Sequence, residues 1–197
     1  MEKPEDVMFS PAVKAEQARL GSRASFEDRD WQTEITDDLR QFLVAIDTFF
    51  FATASADGRP YIQHRGGPAG FLKPIGTHML AFADFAGNRQ YITLGHLKEN
   101  DRAHIFILHF ATQQRLKLWG RARVVEDDAE LMERLVDPAY KAKPQRAIAF
   151  RIEAWDINCR QHIVARYSEA EIAPAVNQLT QRIKELEEEV ARLKATP

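Results

Sequence analysis

Short extended runs separated by tight turns constrain this chain more than any other feature. Residues 49–55 read Phe-Phe-Phe-Ala-Thr-Ala-Ser and run into Ala56-Asp57-Gly58-Arg59-Pro60, after which residues 61–65 return as Tyr-Ile-Gln-His-Arg. Asp-Gly between two extended runs is a strong hairpin signal, because glycine adopts the positive φ that such turns need. Gly66-Gly67-Pro68-Ala69-Gly70 breaks the second run. Further strands are expected over residues 78–84, 102–110, 115–125 and 147–158. Many short strands with few helices predict a mainly β fold, a six-stranded antiparallel barrel with flanking helices, rather than a parallel sheet.

The helices expected around it are amphipathic. Val13, Gln17 and Leu20 line one face of a short helix ending at Gly21. Thr36-Asp37-Asp38 opens another, with Leu39, Phe42, Leu43 and Ile46 at helical spacing. A third runs over residues 91–97 and stops at Asn100-Asp101. A fourth starts near residue 126, where Asp127 and Glu130 have capping-box spacing. The organisation expected is an N-terminal arm (1–36), a barrel (37–170) and a C-terminal helix (171–197).

That last segment carries a heptad seam. Val176, Ile183 and Val190 occupy a, and Leu179, Leu186 and Leu193 occupy d. β-branched a with leucine d favours a parallel two-stranded coiled coil. In that arrangement Arg182 at g faces Glu187 at the partner's e, and Glu189 faces Lys194. The alternative is an amphipathic helix lying on its own barrel.

Composition excludes several classes. Hydrophobic residues are 45% and charged residues 28% of the 197, which supports a globular core. A net charge of -2 and a pI near 6.3 argue against a nucleic-acid partner. The lone cysteine, Cys159, cannot form an intramolecular disulfide and fits a reducing, cytoplasmic setting. The acidic N-terminus lacks the apolar core of a signal peptide. No membrane partner is expected, since the longest apolar run, residues 42–54, is interrupted by Asp47.

Candidate chemistry concentrates on anion binding. No Walker loop is present, and the glycines at 66–70 precede no helix pattern, so a Rossmann reading fails. Gly87-Asn88-Arg89-Gln90 lies where a strand ends and a helix begins. Free N–H groups there, with an arginine, make an anion site. Arg65 closes an alternating strand. Arg115, Lys117 and Trp119 share one strand face, which suits solvent or a flat anionic ligand equally. His104 and His109 are five apart on a strand and point to opposite faces, and no histidine or cysteine spacing makes a metal site. Cys159 near His162 does not make a nucleophile–base pair.

Residues 50–68, residues 80–90 with the helix and strand that follow, and residues 116–125 together resemble the FMN-binding split β-barrels of the pyridoxamine 5′-phosphate oxidase family. The match covers about residues 46–125, with an echo at 155–162. The resemblance implies a homodimer with FMN in a groove between subunits. It implies that Arg65 and Arg89 contact the FMN phosphate, with Gln63, His64, Asp84, Asn88 and Gln90 flanking. It further implies that Lys117 and Trp119 line the flavin from the other side and that Trp155 lies near the ring. The family's Arg-x-His after the tryptophan is met here by Arg160 and His162, two residues closer to Trp155 than the pattern has it. No counterparts of its remaining substrate-phosphate residues stand out in residues 127–143. The usual Asn-Pro after the helix is Asn100-Asp101. The expectation is therefore an FMN-dependent oxidoreductase acting on an unknown small molecule, with no catalytic residue assigned and His64 and His162 as candidate bases. Alternatives are a non-catalytic flavin-binding protein, a haem-handling protein with His64 or His162 as ligand, and a coiled-coil adaptor on a barrel scaffold.

Overall fold

The computed structural model describes residues 3–158 and 161–195. It is mainly β with helices and separates into two compact units. One comprises residues 3–109 and 114–158, the other residues 110–113 and 161–195.

The first unit begins with helices α1 (Pro4–Met8) and α2 (Pro11–Arg19), then α3 (Asp37–Val44). The Ser10 and Thr36 hydroxyls accept hydrogen bonds from Val13 N and Leu39 N, which starts α2 and α3. The apolar stripe of α3 enters the core, with Leu39, Leu43 and Ile46 buried. That of α2 does not: Val13 and Leu20 are exposed.

The strands are β1 (Thr48–Ala54), β2 (Pro60–Gly66), β3 (Lys73–Pro74), β4 (Met79–Phe85), β5 (Arg102–His109), β6 (Gln114–Val125) and β7 (Pro144–Asn158). All pairings are antiparallel, in the order β2-β1-β5-β6-β7-β4-β3. The sheet thus has seven strands rather than the six expected, and its ends do not pair. The extra strand, β3, has two residues, too few to carry an alternation. The expected hairpin joins β1 to β2, with Gly58 at φ 84.

Alternation sorts the two sheet faces. Phe49, Phe51, Leu80, Phe82, Ile105, Ile107, Leu116, Leu118, Ile148 and Phe150 fill the core. A bulge at Trp119/Gly120 shifts β6 against β7. A Cβ on Gly120 would lie 2.0 Å from the Arg151 carbonyl oxygen, so only glycine fits there.

Two helices complete this unit. Helix α4 (Ile92–Glu99) starts one residue later than expected. Helix α5 (Ala129–Leu135) is capped by Asp128, whose carboxylate accepts from Leu131 N at 2.8 Å. This corrects Asp127 as the cap. The third residue of the helix is then Leu131, so Glu130 cannot close a capping box.

In the second unit the Gln113 side-chain amide donates to the Ile163 carbonyl at 2.6 Å, and Arg166 lies over the Phe110 ring. Helix α6 (Glu169–Ala195) follows, with no buried residue. No helix among the described residues is long and apolar enough to cross a membrane.

Candidate functional site

The site begins with alternation along β2. Tyr61, Gln63 and Arg65 point to the core side, while Ile62 and His64 point outward. Because β2 is an edge strand, its inner residues end at an opening rather than against a neighbouring strand. Leu80, Phe82 and Asp84 share the inner face of β4, and Arg146 lies opposite Asp84 on β7. Arg65 Nη1 donates to Asp84 Oδ1, joining two strands that no sheet hydrogen bonds connect.

This makes a chain of charges. Arg65 and Asp84 have side chains only 13% and 10% exposed, so the pair is largely desolvated. Arg146 Nε lies 3.6 Å from Asp84 Oδ2, and its Nη1 donates to Glu126 at 2.9 Å. Arg65 Nε and Arg146 Nε are buried without a hydrogen-bond partner. One carboxylate is serving two guanidinium groups and leaves donor capacity over, which buried groups rarely do.

Helix α4 supplies the other wall. Its cap residue Tyr91 sits in the left-handed region at φ 53 and makes no side-chain cap for the N–H groups of the first turn. Arg89 precedes it, also left-handed at φ 60 and exposed. The Asn88 side chain holds this turn by accepting from Gln90 N and donating to Gln90 Oε1, both at 3.2 Å. Thr93, 2% exposed, donates to Gln63 Oε1 at 3.1 Å and ties α4 to β2. A small, open cleft results, lined by Gln63, Arg65, Asp84, Asn88, Arg89 and Gln90 among others.

Six of the ten site residues expected from sequence therefore meet in one cleft, and four lie elsewhere. His64, Lys117 and Trp119 are on the outer face of the sheet. His64 pairs across to Phe50, Phe50 to Phe106, and Phe106 to Lys117. At about 4.8 Å per strand, His64 and Lys117 are roughly 14 Å apart. His64 shares a hydrogen bond with Thr48 Oγ1. Lys117 Nζ lies 3.5 Å from Asp156 and 5.2 Å from the Trp119 ring centre. His104 packs edge-on to Trp119 at 4.9 Å. Burial, and then the nearby Lys117 charge, pushes the His104 imidazole down from 6.5 to about 4. Trp155 belongs to the core, its indole N–H donating to the Glu34 carbonyl at 2.7 Å. His162 lies in a turn at φ 63, and Cys159 and Arg160 lie outside the described residues.

Arg146 was missed from sequence. Its signal was an arginine on the alternation of the last strand, but only cross-strand register brings it beside Asp84. Among the described residues no group of three or more His, Cys, Asp or Glu side chains could hold a metal.

The family model of pyridoxamine 5′-phosphate oxidase matches residues 35–183, which contain every strand and the cleft. No curated protein matches. Among solved structures, a HupZ variant of Group A Streptococcus is 14% identical, covering 63% of this chain and 99% of its own at a TM-score of 0.51. That likeness is one of fold. An FMN-binding protein from Syntrophomonas wolfei subsp. wolfei is 14% identical, covering 75% of this chain and 95% of its own at 0.47.

Proposed function

This chain belongs to the pyridoxamine 5′-phosphate oxidase family, and from that premise we propose that it is an FMN-binding flavoprotein acting as an oxidoreductase on a small molecule. The observation that carries the proposal is the unspent donor capacity of the cleft. Arg65, whose buried Nε has no hydrogen-bond partner, lines the same cleft as the N-terminus of α4, which its cap residue leaves without a side-chain cap, and the exposed Arg89. A phosphate monoester supplies the oxygen acceptors this arrangement lacks.

In this reading Arg65 and Arg89 hold the phosphate, Asp84 fixes the Arg65 guanidinium, and Asn88 and Gln90 shape the turn that presents Arg89. Gln63, tied to Thr93, keeps the first turn of α4 against β2. A flavin bound here supplies hydride-transfer chemistry, and the protein supplies orientation and charge.

The two separated groups of site residues favour a homodimer. The outer face carries Ile62, 60% exposed, and Phe50, 37% exposed, beside Ala52 and Phe106. An apolar patch spanning several strands is an interaction surface. A second copy seated on it would bring its cleft toward this chain's His64, Lys117 and Trp119, so that the flavin lies between subunits. Trp155, held in the core, then acts on the ring only through the residues it supports.

The test is the visible spectrum of the purified protein. A flavin spectrum, with FMN released on denaturation, is expected. Failure of added FMN to bind, or a Soret band in place of a flavin spectrum, refutes the proposal. Arg89→Ala, an exposed site with little to lose in stability, weakens FMN binding by about 1.5–3 kcal/mol, roughly 10- to 150-fold in Kd. Unchanged affinity removes Arg89 from the site.

A further inference from the structure

Helix α6 presents one continuous apolar stripe. Ile172, Val176, Leu179, Ile183, Leu186, Val190 and Leu193 are 43–66% exposed, and none of the helix is buried. The spacing is four, three, four, three, four, three, so Ile172 adds a fourth d position ahead of the seam legible in residues 176–193. The described helix of 27 residues is about 40 Å long. A helix with this much uncovered aliphatic surface is stabilised chiefly by what covers it.

The geometry points to a second copy of this chain as the occupant, in a parallel, in-register two-stranded coiled coil. Every a position from 176 onward is β-branched, and every d position from 179 onward is leucine, the combination that packs as a parallel pair. Pro174, the one helix-breaking residue inside α6, falls at f, on the side away from the seam. Ile183, Leu186 and Val190 border a shallow depression together with Glu187 and Lys194, which gives a facing knob its hole with charged groups at the rim. Those rim charges are the e positions that meet g residues of a parallel partner. Glu187 meets Arg182, and Lys194 meets Glu189. Arg182 Nη1 is engaged with Glu185 on its own helix at 3.1 Å, which leaves the rest of its fork for the partner. An antiparallel pair would set Arg182 against Glu189 as well. Charge alone therefore does not choose the direction, and the branching of the a and d layers does. No part of this depends on flavin.

Disulfide trapping in the full chain tests it. Cys159→Ser removes the native thiol, and Leu179→Cys, Leu193→Cys or Gln181→Cys then adds one at d, at d near the other end, or at f. Under mild oxidation, Leu179→Cys and Leu193→Cys should each cross-link to a covalent dimer, because facing d residues bring their Cβ atoms within disulfide reach. Gln181→Cys should not. Adding Ile183→Asp should abolish trapping at Leu193→Cys while circular dichroism shows the barrel still folded. Absence of trapping at both d sites overturns the inference, as does trapping at f equal to that at d, or a monomer by sedimentation. Trapping that occurs only when Leu179→Cys is mixed with Val190→Cys, the d-against-a layer an antiparallel pair would form, overturns the parallel direction. Loss of flavin with trapping intact counts against the flavin reading alone.

Discussion

His104 offers a measurement whose size and sign both follow from where it sits. It lies on the outer face of β5, edge-on to Trp119, with Lys117 nearby, and its pKa falls from 6.5 to about 4. The unfolded chain therefore binds a proton at this residue between pH 6.5 and about 4, while the folded chain does not. Stability from the neutral imidazole is fully present above pH 6.5 and is lost as pH falls toward 4. The fall from 6.5 to about 4 is worth roughly 3 kcal/mol in full, with about 1.4 kcal/mol gone by pH 5.5 and about 2.5 by pH 4.5. Other carboxylates and histidines titrate over the same range, so the informative quantity is a difference. Urea denaturation of the wild type and of His104→Gln, followed by tryptophan fluorescence at pH 7.5, 5.5 and 4.5, isolates it. The advantage of wild type over variant should shrink by about 2.5 kcal/mol across that range. A difference that stays flat within about 0.5 kcal/mol refutes the desolvated environment assigned to His104.

Three further outcomes are expected. Asp84→Ala leaves Arg65 and Arg146 buried without their shared carboxylate and should cost about 3–5 kcal/mol in chemical denaturation; a loss under about 1 kcal/mol would mean the three charges are solvated. Gly120→Ala drives a Cβ into the Arg151 carbonyl and should cost about 3 kcal/mol or more, with loss of soluble protein the extreme result and wild-type stability the refuting one. Ile62→Asp places a charge on the outer face of β2, and if that face is the subunit contact, dimer stability in sedimentation and FMN affinity should fall together, while a flavin-replete monomer would separate them.

What sequence could reach divides along the line between local and non-local cause. The Thr36 cap of α3 and the Gly58 turn are each determined within a few neighbouring residues and appear where spacing placed them, and α4 starts within one residue of its expected position. Period-two alternation likewise assigned Lys117 and Trp119 to one face before any strand was paired. The cap of α5 slipped by one residue because Asp127 and Asp128 are both acceptable caps, and the choice depends on how Leu131 and Leu135 reach the core. The exposed stripe of α2 shows the converse, since spacing gives an apolar face but not whether anything covers it. Strand order was out of reach. So was Arg146, because its partner Asp84 is 62 residues earlier and meets it only through the β4–β7 register. Trp155 was legible as an aromatic in the last strand, yet its burial depends on residues 32–34 of the arm pairing against it.

The charge balance of the cleft follows from that non-local pairing and bears on which anion would suit the proposed site. Among the charged residues lining the cleft, Arg65 and Arg89 stand against Asp84, a net of +1, and beside it Arg146 and Glu126 offset each other. The N-terminus of α4 adds roughly +0.5. A carboxylate ligand would leave positive charge in a partly desolvated place, with N–H donors still unmatched. A phosphate monoester, carrying about two negative charges at neutral pH and three acceptor oxygens, brings the site to within about half a charge of neutrality. It also offers acceptors to Arg65, Arg89 and the first turn of α4 at once. Asp84 matters to this in two opposed ways. It lowers the positive charge the ligand meets, yet it holds Arg65 at the opening between β2 and β4, where the guanidinium can serve carboxylate and ligand together. Paired guanidinium groups with donors left over would suit the proposed site, in which its own carboxylates position its cations and their neutralisation is left to a phosphate ligand.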